Sequence, residues 1–70
     1  MGDSVAGREL LRVALARLSP DERITIVLRF AEDQTVPAIA QALAIPEGTV
    51  KSRLYNAVRK LRAALDEEPG

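Results

Sequence analysis

Between Val50 and Leu65 the residues Val50, Leu54, Ala57, Val58, Leu61 and Leu65 are apolar and recur at steps of mostly three and four. At about 100° of rotation per helical residue they collect on one side of a helix. Ser52, Tyr55, Asn56 and Arg59 fall roughly opposite, with Lys51 and Arg62 on one flank and Arg53 and Lys60 on the other. An apolar face of this length must be covered, and a chain of 70 residues has one small core with which to cover it. The outer face is as one-sided as the inner one. Gly48 to Leu65 carries five cations and no acid, whereas the whole chain balances 10 Lys and Arg against 10 Asp and Glu.

Composition narrows the fold and the chemistry together. Hydrophobic residues make up 47% of the chain but only Phe30 and Tyr55 are aromatic, so the core must come from Leu, Val, Ile and Ala. That mixture suits packed helices, and the chain reads as all-α. It contains no Cys and no His. Disulfides, thiolate or imidazole metal sites, Cys nucleophiles and His bases are therefore excluded. The scattered Ser, Asp and Glu are accounted for by helix caps and solvated faces, no nucleophile–base pair is visible, and neither an enzyme nor a cofactor is read. No apolar run approaches the roughly 20 residues of a bilayer span, and no charged-then-apolar leader opens the chain, so a cytoplasmic protein without membrane insertion is expected.

Taken in order, residues 1–6 give no structural signal and read as a flexible start. Helix one is expected over 7–18, with Leu10, Leu11, Ala14, Leu15 and Leu18 inward and Arg8, Arg12 and Arg17 solvated. Ser19-Pro20-Asp21-Glu22 is a capping box with proline at the first helical position, and it starts helix two, 19–33. Ile24, Val27, Leu28 and Ala31 form its expected buried stripe, joined by a buried Phe30. After the polar loop Glu32-Asp33-Gln34, Thr35 caps a short third helix with Pro37 in its first turn. Ile39, Ala40 and Leu43 should face inward, Ala40 being small enough to let two helices approach. Ala44-Ile45-Pro46 is a tight break leading into the basic helix, so 35–65 reads as a helix-turn-helix. Residues 66–70 form a tail, where Asp66, Glu67 and Glu68 meet the negative end of the last helix and should fray it.

Here the residues carry a resemblance. Leu18 to Phe30 (LSPDERITIVLRF) and Ala38 to Leu65 (AIAQALAIPEGTVKSRLYNAVRKLRAAL) resemble region 4, the C-terminal promoter-binding domain, of a bacterial extracytoplasmic-function sigma factor. The most specific piece is Ile45 to Leu54, IPEGTVKSRL. The resemblance implies a small four-helix domain of the winged-helix-like superfamily without a wing. It implies binding to the upstream, minus-thirty-five promoter element, docking on the flap of core RNA polymerase, a possible anti-sigma partner, and a longer sigma factor of which this chain is a part. Two departures stand out: the family commonly has Gly where this chain has Ala44, and Arg where it has Asn56. A left-handed backbone at Ala44 would cost on the order of 1 kcal/mol relative to Gly.

The candidate DNA-binding residues are Thr49, Lys51, Ser52, Arg53, Tyr55, Asn56 and Arg59, the first turns of a helix shaped to enter the major groove. Lys51, Ser52, Tyr55 and Asn56 match places where the family touches promoter DNA, while Arg53 matches one that supports the helix or a phosphate. Asn suits the N7 and N6 of adenine where Arg suits guanine, so the base preference at Asn56 is open. Arg59, Lys60 and Arg62 lie further along, where phosphate, polymerase or solvent are alternatives. Two other classes share parts of the pattern: a response-regulator-type helix-turn-helix effector, which would dimerise on paired half-sites, and a partner-binding adaptor of polymerase or an anti-sigma factor, indifferent to salt and to Lys51.

Overall fold

The computed structural model describes residues 5–67, and among them there are four helices and no strand. These are α1 (Val5–Ala16), α2 (Pro20–Ile26) continued by a π turn over Val27–Ala31, α3 (Val36–Leu43) and α4 (Glu47–Asp66). α1 begins at Val5, inside the stretch expected to be a flexible start; the rest of that stretch, 1–4, lies outside the described residues.

Each boundary has a local cause. At α2, Ser19 Oγ accepts the Glu22 N–H at 3.2 Å while Glu22 Oε1 accepts the Ser19 N–H at 2.9 Å, the reciprocal capping box. At α3, Thr35 Oγ1 accepts the Ala38 N–H at 3.2 Å. α3 ends with Ala44 at φ 58°, ψ 46°. The Ala44 N–H reaches the Gln41 carbonyl at 3.3 Å and the Ile45 N–H reaches the Ala40 carbonyl at 3.0 Å, the double bond of a Schellman turn. Thus the turn of the helix-turn-helix adopts the left-handed geometry that glycine takes most easily, with alanine in its place.

α4 is the element on which the others pack. One core cluster joins Leu18, Ile26 and Ala57, flanked by Leu15, Leu54, Val58 and Leu61. The second joins Ile39, Ala40 and Val50, flanked by Leu28, Val36, Leu43 and Ile45, with Leu54 touching both. Ala14, Ala40, Ala57 and Ala64 are all buried, so half of the core positions are methyl groups that let helices come close but bury little area each. Ala64 takes the inward place at the end of α4 that periodicity gave to Leu65, which is exposed.

Helix two departs furthest from expectation. Thr25 and Ile26 are buried, whereas Ile24, Val27 and Ala31 are exposed and Phe30 is 65% exposed. Thr25 can occupy the interior because its Oγ1 donates to the Asp21 carbonyl at 2.7 Å, leaving only its methyl to the core. Beyond Ile26 the bonding widens: the Glu32 N–H reaches back to Val27 and the Gln34 N–H to Leu28, both at 3.0 Å. This π register shifts every later side chain relative to an α-helical wheel. The loop then closes through Asp33 at φ 55°. On α1, Ala14 is buried and Leu15 packs on the core, as does Leu18 just past the helix, while Leu10 is half-buried and Leu11 is 52% exposed.

α4 runs one residue past Leu65, and Glu67 forms an ion pair with Arg17 that ties the helix end to the end of α1. Glu68, Pro69 and Gly70, the remainder of the tail expected to fray, lie outside the described residues.

Candidate nucleic-acid interface

The start of α4 has no side-chain cap: Pro46 precedes it and can offer none. The Thr49 N–H is taken by the Pro46 carbonyl at 3.0 Å, while the turn as a whole carries the positive end of the helix dipole, a setting that favours an anion, with the exposed Glu47 beside it. At Gly48 an added Cβ would meet nothing within 4 Å, so the backbone of this turn is open to approach from outside.

From there the candidate residues divide. Lys51, Ser52, Tyr55 and Arg59 are exposed and share one side of α4. Tyr55 is 69% exposed and the Arg59 guanidinium lies 5.9 Å from its ring centroid, at the outer limit of a cation–π contact, so an aromatic ring and a cation are presented side by side. Arg62 joins them around a shallow hollow of about 440 Å³ floored by Leu54 and Val58. Thr49 and Asn56 are half-buried, beside this surface rather than at its crest. Arg62, for which phosphate, polymerase and solvent are alternatives, lies seven residues and two turns beyond Tyr55 on this side.

Arg53 stands apart. Its side chain is 27% exposed and its Nη2 lies 3.6 Å from Asp21 Oδ2 on the first turn of α2. Lys60, on the same flank, donates to Glu22 Oε1 at 2.9 Å, the same oxygen that caps α2. The Lys60 bond, then that from the Ser19 N–H, hold the Glu22 carboxyl below its ordinary pKa. No ion pair is formed by Lys51, Arg59 or Arg62 among the described residues. The two flanks of α4 thus differ: one carries unpaired cations, the other cations matched by α2.

A second surface was not anticipated. Leu11 and Leu15 of α1, Ile26, Val27, Phe30 and Ala31 of α2 and its π turn, and Val58 and Leu61 of α4 line an apolar groove of about 490 Å³. Every large side chain that failed to enter the core from α1 and the middle of helix two, apart from Val13 and Ile24, is found here. Arg29 lies 5.4 Å from the Phe30 ring centroid at its margin. No helix of the described residues is long and apolar enough to cross a membrane, so this exposure is not that of a span.

The family description "Sigma-70, region 4" matches residues 8–61. The chain belongs to that family. Among its relatives, this region 4 is 47% identical over 60 residues to the "ECF RNA polymerase sigma factor SigL" of Mycobacterium tuberculosis, covering 86% of the chain and 34% of the relative. It is 41% identical over 61 residues to the "RNA polymerase sigma-E factor" of Streptomyces antibioticus, covering 87% and 34%. A sigma-E factor of Streptomyces coelicolor is 42% identical over 60 residues, covering 86% and 34%. The match is to region 4 of extracytoplasmic-function sigma factors. The chain spans about a third of the length of these curated relatives.

Proposed function

We propose that this region 4 binds the upstream, minus-thirty-five element of promoter DNA as one part of a longer sigma factor that directs RNA polymerase to initiate transcription in the bacterial cytoplasm. The observation that carries the reading is the exposed side of α4 bearing Lys51, Ser52, Tyr55 and Arg59, free of acids between Glu47 at its start and Asp66 at its end, just beyond a helix start without a side-chain cap. A helix presented by a preceding short helix and turn is suited to the major groove, with its first turns at the base edges. Lys51, Arg59 and Arg62 meet phosphates; Thr49 adds a hydroxyl and the first-turn amides a dipole. Ser52, Tyr55 and Asn56 meet bases or the adjacent backbone. Arg53, held toward Asp21 of α2, steadies the recognition helix. Net charge near zero and one recognition helix give weak binding alone, since a single module buries only about 600–1,000 Å². The longer protein and polymerase supply the rest.

The apolar groove supports the second half of the reading. We assign it as the seat of the polymerase flap, an apolar partner held by Leu11, Phe30, Val58 and Leu61. An anti-sigma factor that covered the groove and the basic side of α4 would block both contacts.

Fluorescence anisotropy on a promoter duplex and a scrambled duplex, at two salt concentrations, tests the DNA assignment. Lys51→Ala should weaken both duplexes and flatten the salt slope by about one contact, whereas Asn56→Ala should mainly erase the preference between them. A salt slope near zero that neither substitution moves would instead mark α4 as a partner-binding surface.

A further inference from the structure

The acids of α2 oppose the cations of α4 on one flank only. Arg53 faces Asp21 at 3.6 Å and Lys60 donates to Glu22 at 2.9 Å, so two positive charges meet two negative ones and the flank is neutral. The opposite flank and the crest carry Lys51, Arg59 and Arg62 without such partners among the described residues. Glu22 is held in place from two directions, by the Ser19 N–H and the Lys60 ammonium on one oxygen, and its side chain is only 12% exposed. It is a fixed counter-charge and not a mobile surface acid.

We propose that Asp21 and Glu22 act as internal stand-ins for phosphate: they occupy Arg53 and Lys60 and so hold down sequence-independent binding to DNA. The inference rests on the DNA reading of α4 and adds to it a count of cations. Five cations on α4 would suggest five phosphate contacts, but three are free to make them. With a slope of about −0.9 per phosphate, three contacts lose about 40-fold in affinity between about 50 and 200 mM salt, and five lose about 500-fold. Phosphate contacts carry no sequence information, so neutralising two of them leaves base contacts a larger share of the whole.

The test is a salt titration of binding to a scrambled duplex by the whole chain, for the parent, Glu22→Gln and Asp21→Asn with Glu22→Gln. Glutamine still accepts the Ser19 N–H, so the capping box and the fold are retained, which thermal unfolding checks. The double variant should bind scrambled DNA at least several-fold more tightly at low salt, with a slope steeper by up to about 1.8. Promoter binding should strengthen by the same factor or less, so the preference does not grow. Lys60→Ala supplies an independent arm: it should cost little in the parent and several-fold in the Glu22→Gln background. An unchanged or shallower slope in the acid variants, or an equal Lys60→Ala loss in both backgrounds, overturns the proposal while parent binding and its Lys51 dependence leave the DNA reading intact. If the parent itself shows no salt dependence and ignores Lys51→Ala, the DNA reading falls first and this proposal with it.

Discussion

Replacing Ala44 by glycine should make this domain more stable. Ala44 sits at φ 58°, ψ 46°, where the Cβ of an L-residue crowds its own backbone at a cost of about 1–2 kcal/mol. Glycine removes that strain and keeps both Schellman bonds, from the Ala44 N–H to Gln41 and from the Ile45 N–H to Ala40, because both use the backbone alone. Against this, glycine gives the unfolded chain more freedom, worth about 0.4–1 kcal/mol. The residue is exposed, so little burial changes. The balance spans about 0 to 1.6 and centres on a stabilisation of about 0.8 kcal/mol. For a domain this small it corresponds to a rise of about 3–6 °C in Tm, read by circular dichroism. Ala44→Val should move the other way, since a β-branched residue tolerates this region least. Neither change should alter DNA affinity beyond the effect of stability, the turn being conserved in shape. A Tm for Ala44→Gly equal to or below the parent's would show that the turn relaxes out of the left-handed geometry and that the strain argument is wrong.

Two further expectations follow from the described surfaces. Phe30→Ala should cost under about 1 kcal/mol of stability, against the 3–5 kcal/mol typical of a buried ring, because the side chain is 65% exposed; pull-down with core polymerase should nevertheless lose most of its signal, and retention of it would remove the groove from the docking assignment. The Glu22 carboxyl is held below its ordinary pKa chiefly by Lys60. A depressed carboxyl stabilises the fold above its unfolded pKa, about 4.3, and that stabilisation is lost as pH falls through the lower folded value. The Tm gap between parent and Glu22→Gln should accordingly be widest near neutrality and shrink below about pH 4; a gap that does not change with pH would refute the assignment.

The parts of the fold that were legible in the sequence are those set by local backbone chemistry. Ser19 with Glu22, Thr35, and the apolar spacing from Val50 to Leu61 each act within a few residues, so their effect can be read without knowing what lies across the core. Helix two was misread because its interior is organised by a hydroxyl. Thr25 looks polar in a sequence, but satisfied by the Asp21 carbonyl it presents a methyl to the core and sets a phase of the helix that apolar counting does not find. The π turn then carries Phe30 outward, and no residue in Val27–Ala31 signals i+5 bonding. For the candidate site, the residue types were visible but their pairing was not. Arg53 and Lys60 look equivalent to Lys51 on a wheel; only the packing of α2 beside α4 distinguishes them.

α4 is also a gauge of length. Its 20 residues extend about 30 Å, and Lys51 and Leu61 stand ten residues apart on one rod, about 15 Å at 1.5 Å per residue. The first lies in the exposed basic half and the second lines the apolar groove. Whatever sits in the groove is therefore held at a constant reach and a constant angular offset from whatever the basic half touches. A single residue inserted between Arg59 and Leu61 would turn Leu61, Arg62 and the buried Ala64 by about 100° relative to Val58 and the basic half, breaking the groove and its fixed offset together. The spacing between a docked polymerase and its upstream promoter element would, on this view, be written into the pitch of one helix.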